Sequence, residues 1–239
     1  MDIRTVLKKG TDHLVNCEDD LFFYKYTNGY SIGAIFDGCS TGIKSHFASN
    51  LFSKILIKVL NTKTFMMFDE GEYTLEEIAK QTFIKFFNKL NEVVTILGLS
   101  ESEILSTIIL TIIKDNNAYI IVSGDGCLMI DKDEYKLESP ENIPDYLAYH
   151  LSENVLDVYD LNIKKFAFEN IEDNLAICSD GIYSFRHPDQ QYTTKDVIEC
   201  LLYDKSLLKS DAMLSRKYNI LIKNGFSNYD DLSIVRFIF

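Results

Sequence analysis

The sequence predicts an α+β fold in which antiparallel sheets carry helices on their outer faces. Short apolar runs rich in β-branched residues come first, two helical patterns follow, and the same order repeats before a last strand. Short turns join several of these strands, which is typical of antiparallel pairing. No repeat, low-complexity segment or break in composition divides the 239 residues, so we expect a single domain over residues 1–239.

Period-2 patterns and buried apolar runs locate the strands. Strands are predicted over residues 21–26, 30–36, 105–113, 118–123, 127–131, 174–179 and 232–239. Asn28-Gly29 lies between the first two and is a strong hairpin signal. The next three are joined by short turns, so we expect successive hairpins, and residues 155–168 should add one or two strands. Because a free terminal strand would expose an edge, the last strand should lie in the middle of a sheet.

Four segments have apolar residues at helical spacing. Helices are predicted over residues 45–61, 74–97, 196–202 and 207–223. Thr74 begins the second with a capping box, and Gly98 ends it. Thr193 is the expected N-cap of the third, and Asn224-Gly225 ends the fourth.

Charge and cysteine usage exclude several classes of partner and compartment. The net charge is −12 and no Lys/Arg cluster is present, so we expect no nucleic-acid partner. Five widely spaced cysteines without a C-x-x-C motif fit a reducing compartment and argue against disulfides and zinc. No apolar run reaches the ~18–20 residues of a membrane span, and the first residues lack the order of a signal peptide. We therefore expect a cytoplasmic protein with no membrane partner; its oligomeric state stays open.

Acids at the ends of strands are the main functional signal. Asp37 ends an apolar run and precedes Gly38. Asp125 and Asp180 are likewise followed by glycine, and Asp230 precedes the last strand. For one Asp-Gly step, a turn is the ordinary explanation, but turns do not explain the repetition in distant segments. Clustered acids repel one another unless a cation compensates. Their oxygens suit magnesium, manganese or calcium rather than zinc.

Five short motifs, in this order, resemble those of the metal-dependent protein phosphatases of the PPM, or type-2C, family. The motifs are Cys17-Glu18-Asp19, Phe36-Asp37-Gly38, Ser106-Thr107 followed by Gly124-Asp125, Cys178-Ser179-Asp180-Gly181, and Asp230-Asp231-Leu232-Ser233. The resemblance runs over nearly the whole chain. It implies a compact, bacterial-like member with a four-layer α-β-β-α sandwich, in which helix pairs flank two antiparallel sheets.

The resemblance also implies a site for two Mn²⁺ or Mg²⁺ ions at one end of the sandwich. Asp37 would bridge both ions, and Asp180 and Asp230 would complete one of them. Glu18 and the Gly38 carbonyl would hold the other.

Two further acids have implied roles at this site. Asp125 would match the acid that, with Asp180, binds a third ion in some members. Asp19 would lie behind the metal ligands and hold a metal-bound water. The implied reaction is hydrolysis of phosphoserine and phosphothreonine in proteins by metal-activated water, centred on Asp37, Asp180 and Asp230.

Two positions depart from the family pattern. Leu14 stands where an arginine often contacts the substrate phosphate, and Cys39 stands where a histidine is a candidate proton donor. Lys44 or His46, near the start of the helix after Asp37, could compensate as a phosphate contact. His13 is another candidate for this role.

Two alternatives to a protein phosphatase remain. One is a phosphatase-fold binding module that holds metal and a phosphorylated partner with little or no turnover, which the changes at Leu14 and Cys39 favour. The other is a two-metal hydrolase of small phosphoesters. The acidic charge disfavours a nucleic-acid substrate.

Overall fold

The computed structural model describes residues 1–26, 29–61, 73–139 and 144–239, and twelve strands in these ranges form two large antiparallel sheets and a ribbon. The strands are β1 (Asp2–Lys8), β2 (Asp19–Lys25), β3 (Ser31–Asp37), β4 (Ile108–Lys114), β5 (Asn117–Ser123), β6 (Gly126–Ile130), β7 (Asp133–Leu137), β8 (Lys164–Phe168), β9 (Asn174–Cys178), β10 (Phe185–Arg186), β11 (Ser227–Asn228) and β12 (Leu232–Ile238). Sheet I has the order β1-β12-β9-β6-β7, and sheet II the order β2-β3-β4-β5-β8. β10 and β11 form the ribbon.

Five α-helices occur in the described ranges. They are α1 (Ser45–Leu60), α2 (Leu75–Leu97), α3 (Val155–Leu161), α4 (Thr194–Ile198) and α5 (Met213–Lys223). A π-helical turn, Glu199–Tyr203, continues α4. A capping box begins α2 at Thr74, as predicted, and Thr193 is the N-cap of α4, as expected, where it also forms a capping box. None of these helices has the length and apolar character needed to cross a membrane.

Three apolar cores separate four layers. Buried residues of α1 and α2 pack on one face of sheet II, and those of α4 and α5 pack on one face of sheet I. The third core lies between the sheets, and its members include Ile35, Ile109, Val122, Leu128, Ile177, Val235 and Phe237. Because side chains alternate along a strand, β3 contributes Ile35 to this core and Phe36 to the helix side. The α-β-β-α sandwich is therefore confirmed.

The strand pairing confirms two predicted features. β2 pairs with β3 as the expected hairpin, although Asn28 lies outside the described residues. β12 lies between β1 and β9, so the last strand is interior to sheet I. All five cysteines are free.

Several segments differ from the sequence prediction. The strands β1 and β7 were not predicted, and the helix expected over residues 207–223 begins only at Met213. Residues 155–161, expected as strand, form α3 because the Asn154 side chain accepts a hydrogen bond from the Leu156 N–H at 2.9 Å and caps a helical turn. Only β8 of that segment is extended. β5 and β6 do not form a hairpin: β6 pairs with β7 and β9 in the other sheet. Gly124 and Gly126, with φ of 105° and 138°, carry the chain from sheet II to sheet I.

The sheets approach closely at Gly33 in β3. A Cβ atom on Gly33 would lie 2.7 Å from Phe237 Cζ and 2.9 Å from Val235 Cγ1. Gly33 therefore leaves space for the aromatic ring that β12 sends into the core between the sheets.

We expect Gly33→Ala to lower the free energy of unfolding by about 1–3 kcal/mol, because the added methyl group overpacks this core. Phe237→Leu alone should cost about 1–2 kcal/mol through the cavity it leaves. Urea denaturation of the double variant should show a smaller loss than the sum of the two. Strictly additive losses would contradict the close approach.

Candidate active site

Antiparallel pairing brings the acids to one end of the sandwich. Asp19, at the start of β2, lies opposite Asp37, at the end of β3. In sheet I, the end of β9 lies beside the start of β12, so the segments that carry Asp180 and Asp230 are neighbours. Asp37, Asp180 and Asp230, together with Asp125 from the crossover between the sheets, line one cleft of about 410 Å³.

The glycines after two of these aspartates allow close approach rather than a turn. A Cβ atom on Gly38 would lie 2.3 Å from the Ser45 carbonyl oxygen, and one on Gly181 would lie 1.7 Å from the Asp231 carbonyl oxygen. Neither glycine is among those with positive φ. The Asp-Gly steps therefore bring chain segments into contact at the cleft, which the ordinary turn explanation does not account for.

Thr107 fixes the backbone of Asp37. The Asp37 N–H donates to Thr107 Oγ1 at 3.1 Å, and the Thr107 N–H donates to the Asp37 carbonyl at 2.8 Å. On its other side, Thr107 Cγ2 would be 2.6 Å from a Cβ atom on Gly124, the residue before Asp125. The Ser106-Thr107 motif thus positions two of the cleft carboxylates.

Burial and mutual repulsion raise the pKa values of these acids. Asp19 is only 2% exposed, and burial raises its pKa to about 8. Desolvation at the floor of the cleft, and then the charges of Asp19 and Asp180, raise the pKa of Asp37. Burial and Asp180 raise the pKa of Asp125 to about 6.

The donor atoms of this site fit a hard divalent cation. Buried oxygens of Glu18 and Asp19 have no hydrogen-bond partner, and carboxylates dominate the cleft, whose lining includes a single cysteine. Over the described ranges, no three His, Cys, Asp or Glu side chains already form a closed cage for an ion. Binding of a divalent cation would therefore draw together carboxylates that repel one another in its absence.

His13 enters the site, whereas Leu14 does not. The His13 ring lies at the cleft wall with 14% of its side chain exposed, and its Nε2 is 3.2 Å from Asp230 Oδ1. Its Nδ1 is 3.5 Å from Glu18 Oε2, so His13 separates two of the predicted metal ligands. Leu14 is 91% exposed. Glu18 does not itself line the cleft and lies beyond His13.

The two predicted phosphate contacts are not brought to the cleft. Lys44 is exposed at the start of α1 with φ of 58°, and His46 lies 3.3 Å from the Asn16 amide. Neither lines the cleft wall. Ser40 and Thr41, which lie between Asp37 and these two residues in the sequence, do line the cleft.

Sequence reasoning missed the aromatic wall of the cleft. Tyr146 and Tyr149 line the cleft together with the carboxylates, and their ring centroids are 5.7 Å apart. Cys39 lines the same cleft. The only signal was a pair of tyrosines in a short, otherwise irregular segment, which does not by itself indicate a site.

Comparison with known proteins agrees with this geometry. A sequence model described as protein phosphatase 2C matches residues 9–211. The chain belongs to the protein phosphatase 2C family. No curated protein gives a significant match.

Solved structures share the fold of this family member at low identity. A bacterial serine phosphatase, solved as a point variant, is 13% identical, with a TM-score of 0.67 over 100% of this chain and 98% of that one. Serine/threonine phosphatase Stp1 from Staphylococcus aureus is 12% identical, with a TM-score of 0.65 over 100% and 94%. The catalytic domain of PstP, solved with two manganese ions, is 15% identical, with a TM-score of 0.62 over 99% and 97%.

Thr107→Val should lower the free energy of unfolding by about 1–2 kcal/mol, because the Asp37 N–H loses its acceptor. It should also weaken Mn²⁺ binding measured by calorimetry. Thr111→Val is the matched control, since Thr111 is buried in β4 and its hydroxyl has no hydrogen-bond partner. That variant should be neutral or stabilising. Equal losses in both variants would mean that Thr107 only fills space.

Proposed function

We propose that this chain is a divalent-metal-dependent phosphatase that hydrolyses phosphoserine and phosphothreonine in proteins. The observation that carries the proposal is the convergence of four aspartates from separate elements on one cleft, in a member of the protein phosphatase 2C family. The PstP catalytic domain, which has the same fold, was solved with two manganese ions, and this supports Mn²⁺ or Mg²⁺ as the cofactor. We also propose that residues 1–239 act as one domain, and the free cysteines support a cytoplasmic location.

In this proposal, the carboxylates divide between two ions. Asp37 would contribute to both ions, Asp180 and Asp230 to one of them, and Glu18 with the Gly38 carbonyl to the other. When bound, two such ions lower the pKa of water and offset negative charge on a phosphoryl group.

Two other acids have supporting roles in the proposal. Asp125 lines the cleft beside Asp180, where a third ion would bind. Asp19 is buried behind Asp37, and its unpartnered oxygens can accept hydrogen bonds from water held at the site. His13, between Glu18 and Asp230, keeps these two carboxylates apart and oriented.

The cleft wall receives the substrate side chain. Tyr146, Tyr149, Leu105 and Pro144 give this wall apolar surface that excludes water next to the carboxylates. Burial, and then a hydrogen bond to Cys39, raise the pKa of Tyr146. Its hydroxyl therefore stays protonated and can donate a hydrogen bond to the oxygen that leaves phosphorus.

A binding module with little turnover is the second candidate. It is favoured by the exposed Leu14, which leaves the cleft without the arginine that often contacts the substrate phosphate in the family. It would retain metal and phosphopeptide binding but release phosphate slowly.

Phosphate release from a phosphothreonine peptide and from p-nitrophenyl phosphate tests the proposal. We expect Mn²⁺-dependent release that EDTA abolishes and that Asp37→Asn or Asp180→Asn lowers by about 10²-fold or more, because each change removes a ligand charge. Asp133→Asn, an exposed change in β7, is the matched control and should be fully active.

The pattern of activity separates the candidates. Release from both substrates establishes the protein phosphatase, and release from the small ester alone would indicate a small-phosphoester hydrolase. Binding of Mn²⁺ and phosphopeptide without release would favour the binding module. Full activity of Asp37→Asn would contradict the assignment of Asp37 as a metal ligand of the active site.

A further inference from the structure

A second groove continues from the cleft on the side of His13. The two cavities share His13, Ser40 and Asp230. The second has a volume of about 650 Å³, and its remaining lining residues are Asp12, Ser184, Arg186 and Tyr229. We call it the Arg186 groove. A peptide whose phosphorylated residue occupies the cleft would have a path for its neighbouring residues along this groove.

Among the lysine and arginine side chains of the described ranges, only Arg186 lines either of the two cavities. Two lysines near the cleft acids are engaged elsewhere. Lys136 forms an ion pair with Glu138. Lys164 donates to the carbonyls of Gly124 and Glu138 at 3.3 and 3.1 Å. In the described part of the chain no acid pairs with Arg186, although its side chain is exposed on an acidic protein.

The Arg186 guanidinium is held at one corner. Its Nη1 donates to the carbonyls of Tyr183 and Phe185 at 2.7 and 2.8 Å. These bonds use one nitrogen and leave Nε and Nη2, the edge that binds a carboxylate through two parallel hydrogen bonds. An arginine fixed in this way loses little conformational entropy when it binds an anion.

The strand that carries Arg186 is tied to the catalytic end. β10 pairs with β11, which lies just before Asp230. The Ser184 hydroxyl accepts the Asp230 N–H at 3.0 Å and lies 3.2 Å from Asn228 Oδ1. The position of Arg186 relative to Asp230 is therefore set by hydrogen bonds.

We propose that Arg186 binds an acidic side chain of the phosphoprotein substrate, next to the phosphorylated residue. Arg186 does not line the cleft that contains Asp37, Asp125 and Asp180, so its anion is separate from the scissile phosphate. The groove lining also contains two acids. Asp12 is exposed to solvent, and Asp230 would be bound to an ion. Arg186 is therefore the group that would attract an acidic side chain of the substrate. This specificity rests on the proposed function.

Binding of labelled peptides tests the proposal without requiring turnover. Each peptide carries a phosphonate analogue of phosphothreonine, flanked by Asp and Glu in one and by Asn and Gln in the other. By fluorescence anisotropy with Mn²⁺, Arg186→Gln should weaken binding of the acidic peptide about fivefold or more and that of the neutral peptide less than about twofold. Arg186→Lys should recover part of the loss, since it keeps charge but not the paired donors.

Arg216→Gln is the matched control because Arg216 is exposed on a different surface, beside Leu207 and Asp211. It removes the same charge and should leave both peptides unaffected. Equal losses for both peptides in Arg186→Gln, no loss for either, or the same acidic-peptide loss in Arg216→Gln would overturn the proposal.

Turnover of p-nitrophenyl phosphate identifies which claim has failed. This ester has no flanking residue, so Arg186→Gln should hydrolyse it at the wild-type rate. A wild type that hydrolyses nothing with Mn²⁺ would refute the proposed function, while the peptide-binding result would still decide the role of Arg186.

Discussion

Repulsion among carboxylates at one end of the sandwich is the constraint on which the site depends. Asp19, Asp37, Asp125 and Asp230 have raised pKa values because burial and neighbouring acids disfavour their charged forms. The three apolar cores supply the free energy that holds these segments together. Such an arrangement is typical of a site whose stability is completed by a bound cation.

The two ends of the chain are joined at this site through Asp231. Its carboxylate accepts the N–H of Gly10 at 2.6 Å and also the N–H of Glu18. The strand that follows, β12, is anchored at its other end by Arg236, which is buried and donates to the carbonyls of Leu201 and Asp204 at 3.1 and 2.9 Å. β12 therefore connects the π-helical turn on the outer face of sheet I to the acids of the cleft.

Much of this organisation could be predicted from the sequence because its signals are local. Periodicity and capping residues located the helices, and strand-end acids in repeated Asp-Gly settings located the cleft. Local signals do not say which sheet a strand joins, so Gly124-Asp125-Gly126 looked like a hairpin. They also do not say which way a loop side chain faces, so the sequence could not distinguish His13, which lines the cleft, from Lys44 and His46, which do not. The Arg186 groove was not predicted.

The most direct test compares the unfolding free energy of wild type and Asp37→Asn by urea denaturation at pH 8, with EDTA and with Mn²⁺. Because burial and neighbouring acids raise the pKa of Asp37, the fold disfavours the ionised form that the unfolded chain adopts at pH 8, and asparagine avoids this cost. Asp37→Asn should therefore be at least about 1 kcal/mol more stable than wild type in EDTA, whereas Mn²⁺ should stabilise wild type far more than the variant.

The pH dependence of the unfolding free energy in EDTA provides a second test. Because the folded pKa values are raised, the folded state binds more protons, and stability should fall as pH rises from about 4, the unfolded value, towards about 8, the pKa of Asp19. An Asp37→Asn variant that is less stable than wild type in EDTA, with no effect of Mn²⁺ on either protein, would contradict the account.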